Sequence, residues 1–286
     1  MRLAYVIAAY KDPDQIERLI KRLSHESFDF YIHLDRKIDI RKFIHLANIE
    51  RVYFIKKRAL VRWGSHNLTV GILNSFTEVL ESGRAYDFIS VLSGNDYPLK
   101  PISELYHFLD VNRGKNFIYY EDPGDEWWDR NIEHVNQYHM TGFGFKGRYR
   151  IQFLINRILP RRKFPLAYKL YGGSCATFMT LSVDCVRYVV NFMKKNKGLQ
   201  RYAFFAWGTD EFLIDTIIMN SRFRDTVVND NLYYIDWSKG GDHPKTFTIE
   251  DFEVLKNSDK FYARKFDIKV DSSILDKIDK MSLQVN

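Results

Sequence analysis

The first hundred residues alternate short apolar runs with amphipathic stretches, and that alternation limits the fold more than any other feature of the chain. Leu3–Ala9 reads as a buried strand. A turn at Lys11-Asp12-Pro13-Asp14 leads to a helix with Ile16, Leu19, Ile20 and Leu23 on one face. Strands are expected again at Phe28–Leu34, 52–55 and 87–92, with a helix over 67–80 between the last two. Strand and helix in alternation imply an α/β fold with a mostly parallel central sheet flanked by helices. No linker interrupts the chain, so residues 1–286 are expected to form one domain. Its length suffices for a sizeable core.

The second half is more mixed. Strands are expected at 116–120, 175–181 and 232–236, and helices at Val183–Lys195 and 210–220. Residues 114–165 are aromatic and basic with few regular signals, and Trp127, Trp128, His134 and His139 fall in that irregular stretch. The two histidines are a poor metal pair at their spacing. Surface aromatics for sugar suit the stretch better.

A formal net charge of +7 favours anionic partners: nucleic acid, an acidic membrane, or a phosphorylated small molecule. No nucleic-acid module is recognisable. The two cysteines, Cys175 and Cys185, cannot build a disulfide framework and fit a reducing compartment. The apolar start, residues 1–10, is too short to span a membrane. Residues 146–164 carry seven Lys/Arg among Ile151, Phe153, Leu154, Ile155, Ile158 and Leu159. Such a segment either lies on an anionic membrane or forms a solvated helix packed on the core.

Open α/β sheets bind ligands beyond the carboxyl ends of their strands. Three such ends are polar here: Ala9-Tyr10-Lys11, His33-Leu34-Asp35 and Ser93-Gly94-Asn95-Asp96. No Gly-x-Gly-x-x-Gly turn follows the first strand, and no phosphate-binding loop ending in Gly-Lys-Ser/Thr is present. The Asp-x-Asp triplet Asp12-Pro13-Asp14 belongs to a helix start, and Gly94 stands where a second carboxylate would precede Asn95-Asp96. A metal-free solution would need Lys or Arg to neutralise a leaving diphosphate. Asp242-His243-Pro244-Lys245 and Phe261-Tyr262-Ala263-Arg264-Lys265-Phe266 both set cations among aromatics. Trp207-Gly208-Thr209-Asp210-Glu211-Phe212 opens a helix with adjacent acids, of which one can cap while the other faces a cleft.

These pieces, in order, resemble the Core-2/I-branching β-1,6-N-acetylglucosaminyltransferases, a family that includes peptide O-xylosyltransferases. The matching runs are Tyr31-Ile32-His33-Leu34-Asp35, Trp63-Gly64-Ser65, 89–99 with its Leu92-Ser93-Gly94-Asn95-Asp96-Tyr97-Pro98-Leu99, and Tyr171-Gly172-Gly173-Ser174. Thr209-Asp210-Glu211, residues 231–237, His243-Pro244 and residues 261–267 follow. The resemblance implies a GT-A type fold with nucleotide bound by the N-terminal half, and acceptor and diphosphate by the C-terminal half. It implies an inverting, metal-independent glycosyltransferase without cofactor, moving a sugar from a UDP-sugar to a glycan or lipid-linked glycan. By position Glu211 is the expected general base. Asp35 is expected at the nucleoside, and Lys245 and Lys265, with Arg264 beside it, at the diphosphate. Trp237 and Glu121 are expected at the acceptor. N-acetylglucosamine is the family's commonest donor and xylose the next. Here Ala176 replaces a familiar Trp, and Lys245 stands for a usual Arg. A bacterial member is expected, cytoplasmic or peripheral on the inner face of the membrane. Two alternatives stay open: a glycoside hydrolase using Asp96 and Glu211, or a non-catalytic polysaccharide-binding protein.

Overall fold

The computed structural model describes residues 1–283. Its strands are β1 (Leu3–Ala9), β2 (Phe28–Leu34), β3 (Val52–Phe54), β4 (Phe88–Ser93), β5 (Asp96–Pro98), β6 (Asn116–Ile118), β7 (Thr180–Ser182), β8 (Val227–Asn229), β9 (Tyr233–Ile235) and β10 (Tyr262–Arg264). A central seven-stranded sheet runs β3-β2-β1-β4-β7-β6-β8, and a small one β5-β10-β9. In the large sheet β7 alone runs against its neighbours.

Alternation along β1 divides the core. Leu3, Tyr5, Ile7 and Ala9 pack with Ile16, Leu19 and Ile20 of the helix Pro13–Arg22. Ala4 and Val6 join a second cluster with Ile72, Phe76 and Val79 of Asn67–Glu81, and Val186 and Val189 of Val183–Lys195. Both faces of the sheet are thus buried by helices, which is why its central strands read as unbroken apolar runs.

Three local expectations need correction. Residues 174–177 form a turn, closed by Ala176 N–H to the Gly173 carbonyl at 3.1 Å, and the strand begins only at Thr180. Residues 114–165 contain two helices, Glu126–Asn136 and Arg148–Ile158, so Trp127, Trp128 and His134 are helical. The helix expected over 210–220 is broken: a 3-10 turn, Thr209–Glu211, precedes the helix Leu213–Met219, with Phe212 in neither helical nor extended conformation between them (φ −150°, ψ −26°). The Glu211 carbonyl, which a continuous helix would use, accepts instead from Gly173 N–H at 2.9 Å. Among the described residues no helix is long and apolar enough to cross a membrane.

Candidate active site

Register puts the three polar strand ends together. Ala9 pairs with Leu34 and Ala8 with Ser93, so Lys11, Asp35 and Gly94 leave one edge of the sheet. Asp35 is buried there, accepting from the N–H of Lys37 at 3.1 Å and of Val61 at 3.3 Å, with the Lys37 ammonium 3.1 Å away. His33 serves the fold. Its Nε2 accepts the Ala59 N–H at 2.9 Å, its ring fills the space beside Gly71, and burial lowers its proton affinity. The bonds from Ala59 and Val61 pin the segment leading to Trp63-Gly64-Ser65.

Asp96 is a structural residue. It is fully buried and accepts from Ser93 N–H (2.7 Å), Ser93 Oγ (2.8 Å), the Tyr233 hydroxyl (3.1 Å) and Arg264 Nη1 (2.7 Å). The pairing of β5 with β10 sets Arg264 opposite Asp96. These four bonds leave the carboxylate no freedom to act as a hydrolase acid or base.

Glu211 is placed by glycines. Gly208, at φ +53°, makes the turn into Thr209–Glu211 and donates to the Gly64 carbonyl at 2.9 Å. A Cβ on Gly172 would lie 2.3 Å from the Glu211 carbonyl oxygen. On Gly173 it would lie 2.8 Å from the Tyr119 ring and 3.4 Å from Glu121 Oε1. The glycine pair is therefore the slot that admits the Glu211 turn on one side and Glu121 on the other. The Glu121 N–H bonds the Gly172 carbonyl at 2.8 Å, and the Tyr119 hydroxyl donates to Glu121 at 3.2 Å.

The two acids of this turn differ. Asp210 accepts from the Thr177 hydroxyl at 2.8 Å, and its side chain caps no helix. The Glu211 carboxylate has no side-chain hydrogen bond among the described residues. Burial, then the nearby Asp210, pushes it up to about 8. Burial likewise raises Asp210.

The expected cations lie together, with Lys265 N–H donating to the Lys245 carbonyl at 3.3 Å, but their side chains are differently engaged. Lys245 is ion-paired with Asp251, a residue that also caps the turn Ile249–Asp251. Arg264 is held by Asp96 and lies over the Phe178 ring. Lys265 forms no ion pair among the described residues. Burial lowers its proton affinity, and the adjacent charges of Arg264 and Lys11 lower it further. Lys11, held by Asp267 at 2.5 Å, completes a positive corner where β1 and β10 end. The strand-end triplet Ala9-Tyr10-Lys11 was the available signal for Lys11.

Trp237 approaches Cys175, whose thiol burial pushes up and which also feels the charges of Glu121 and Arg264. The Trp237 indole N–H is buried without an oxygen or nitrogen acceptor. Trp63 is 60% exposed and stands edge-on to Trp207 and beside His243. Its motif was visible in the sequence, but nothing there marked its side chain as open. His134 and His139 pack against Trp207 and hold the chain entering the Glu211 turn. Among the described residues no group of three or more His, Cys, Asp or Glu could hold a metal. A cavity of about 1360 Å³ beside the helix Asn67–Glu81 includes none of the expected site residues.

The fold is α/β, with a mostly parallel sheet broken by one antiparallel strand and the polar strand ends gathered at one edge. The chain belongs to the Core-2/I-branching enzyme family, whose model matches residues 3–257. It is similar to human Xylosyltransferase 2, at 27% identity over 98% of this chain and 33% of that protein. It is also similar to Beta-glucuronosyltransferase GlcAT14B of Arabidopsis thaliana, at 28% identity over 97% of this chain and 65% of that protein. The chain thus spans a third to two thirds of these relatives. Mouse Xyloside xylosyltransferase 1 in its apo form aligns over 92% of the chain at 14% identity with a TM-score of 0.44, too loose a likeness to bear on function.

Proposed function

We propose that this chain is an inverting glycosyltransferase that moves a sugar from a UDP-sugar to a hydroxyl of a glycan acceptor, with Glu211 as general base. The observation that carries this is the Glu211 turn: a half-buried carboxyl of raised proton affinity, without a side-chain hydrogen bond among the described residues, set by Gly172 and Gly173 opposite Glu121. The acceptor oxygen forms its bond to C1 of the donor as the bond from C1 to the diphosphate oxygen breaks. The hydroxyl proton passes to Glu211, and the electron pair leaves with UDP. A base with proton affinity near neutrality suits that transfer.

The leaving diphosphate gathers charge, which Lys265 with Arg264 and Lys11 would stabilise electrostatically in place of a metal. Lys265 leads because it has no carboxylate partner among the described residues, whereas Lys245, Arg264 and Lys11 are already paired with Asp251, Asp96 and Asp267. Asp35 is assigned to the nucleoside, at the same sheet edge as Lys11. Glu121 and Trp237 are assigned to the acceptor, where the indole N–H can donate to a hydroxyl. The relatives' names make xylose and glucuronic acid donor candidates beside N-acetylglucosamine. Two free cysteines agree with a cytoplasmic setting.

Binding of UDP separates this function from a hydrolase or a polysaccharide-binding protein. UDP should raise the melting temperature of the wild-type chain and of Glu211→Gln alike. No stabilisation by UDP in either would overturn the proposal.

A further inference from the structure

The helix Arg148–Ile158 is turned inside out. None of its residues is buried. Two uncharged polar side chains face the protein: Gln152 accepts the Met140 N–H at 2.8 Å, and Asn156 both accepts from and donates to the Tyr138 backbone at 2.8 Å. Ile155 is half-buried beside them, and the other apolar side chains face out, with Ile151 43%, Phe153 64%, Leu154 54% and Ile158 76% exposed. A surface helix of a globular protein ordinarily does the reverse, and a contiguous exposed apolar face marks an interaction surface.

Charge says what covers it. Residues 134–183 contain eight Lys/Arg and no Asp or Glu. Arg150 and Arg157 lie on the outward side between the apolar residues, and neither forms an ion pair among the described residues. Arg162, by contrast, is used internally, donating to the Gln137 and Tyr202 carbonyls. We propose that this face docks on an anionic lipid bilayer, the helix lying in the plane of the surface with Ile151, Leu154 and Ile158 among the acyl chains and Arg150 and Arg157 at the phosphates. A second copy of the chain would bring arginines against arginines. Nucleic acid would leave the aliphatic side chains in water. Docking of this kind does not depend on the transfer reaction.

The test is flotation of the full chain with vesicles of phosphatidylcholine alone and of phosphatidylcholine mixed with phosphatidylglycerol. The chain should float with the mixed vesicles only, and less as salt screens the charges. Arg150→Gln with Arg157→Gln should weaken partitioning about thirtyfold, at about fivefold per cation. Ile151→Ser with Leu154→Ser should weaken it roughly tenfold or more at unchanged charge. All four positions are exposed, and unchanged melting temperatures would confirm intact variants. Absence of flotation, equal flotation with both vesicle types, or binding indifferent to both variant pairs would overturn the proposal. So would a chain that dimerises through this face, is made monomeric by Leu154→Ser, and ignores lipid.

Discussion

Replacing Glu211 by Gln should flatten the pH dependence of folding stability. Burial, and then Asp210, raises this carboxyl from 4.5 to about 8 in the folded chain. Between those values the folded protein keeps a proton that the unfolded chain has lost. The folded state then binds more protons, so its stability is full below the unfolded value and falls as pH rises toward the folded one. At about 1.4 kcal/mol per pH unit, the interval costs about 5 kcal/mol. Gln has no proton to lose, and removing the Glu211 anion also relieves Asp210. Urea titrations near about pH 5 and about pH 9 read the difference. The wild type should lose several kcal/mol more between them than Glu211→Gln, in which the buried Asp210 and Asp215 still titrate. Equal losses would refute the burial of an ionisable carboxyl at this position. The same group should control the free enzyme's rate, so kcat/KM should climb with pH toward about 8 as the base loses its proton.

Other changes probe the surroundings of that carboxyl. Gly172→Ala forces a Cβ to within 2.3 Å of the Glu211 carbonyl oxygen and should cost about 3 kcal/mol or more, read by urea denaturation. Lys265→Ala should weaken UDP binding roughly thirtyfold by calorimetry, as loss of a charged hydrogen bond does, and leave folding intact. Asp96→Ala strands Arg264 and should destabilise the chain by about 3–5 kcal/mol. A mild effect there would mean that Asp96 is not the anchor its four hydrogen bonds make it.

Elements whose pattern reflects burial were legible in the sequence. β1, β2 and the helix Val183–Lys195 fall where the apolar periodicity puts them, because both faces of the sheet are covered and register is set locally. What the sequence hid depends on distant partners. Nothing local says that Gly173 N–H will claim the Glu211 carbonyl and break a helix that the 3.6-residue periodicity supports. Nor does a basic stretch say which of its side chains turn outward; only the bonds of Gln152 and Asn156 to residues 138–140 decide that for Arg148–Ile158. The candidate site was visible as Glu211, Asp35 and the cations near the end of the chain. That Lys245 is engaged by Asp251, while Lys265 shares its corner with Lys11, emerges only once β1 and β10 are brought together.

The most direct test of the central claim is release of UDP from UDP-xylose, UDP-N-acetylglucosamine and UDP-glucuronic acid, with glycan acceptors and excess EDTA. We expect turnover of at least one donor, undiminished by EDTA and abolished by Glu211→Gln, while that variant still binds UDP. Turnover that EDTA removes, or that survives Glu211→Gln unchanged, would contradict the account.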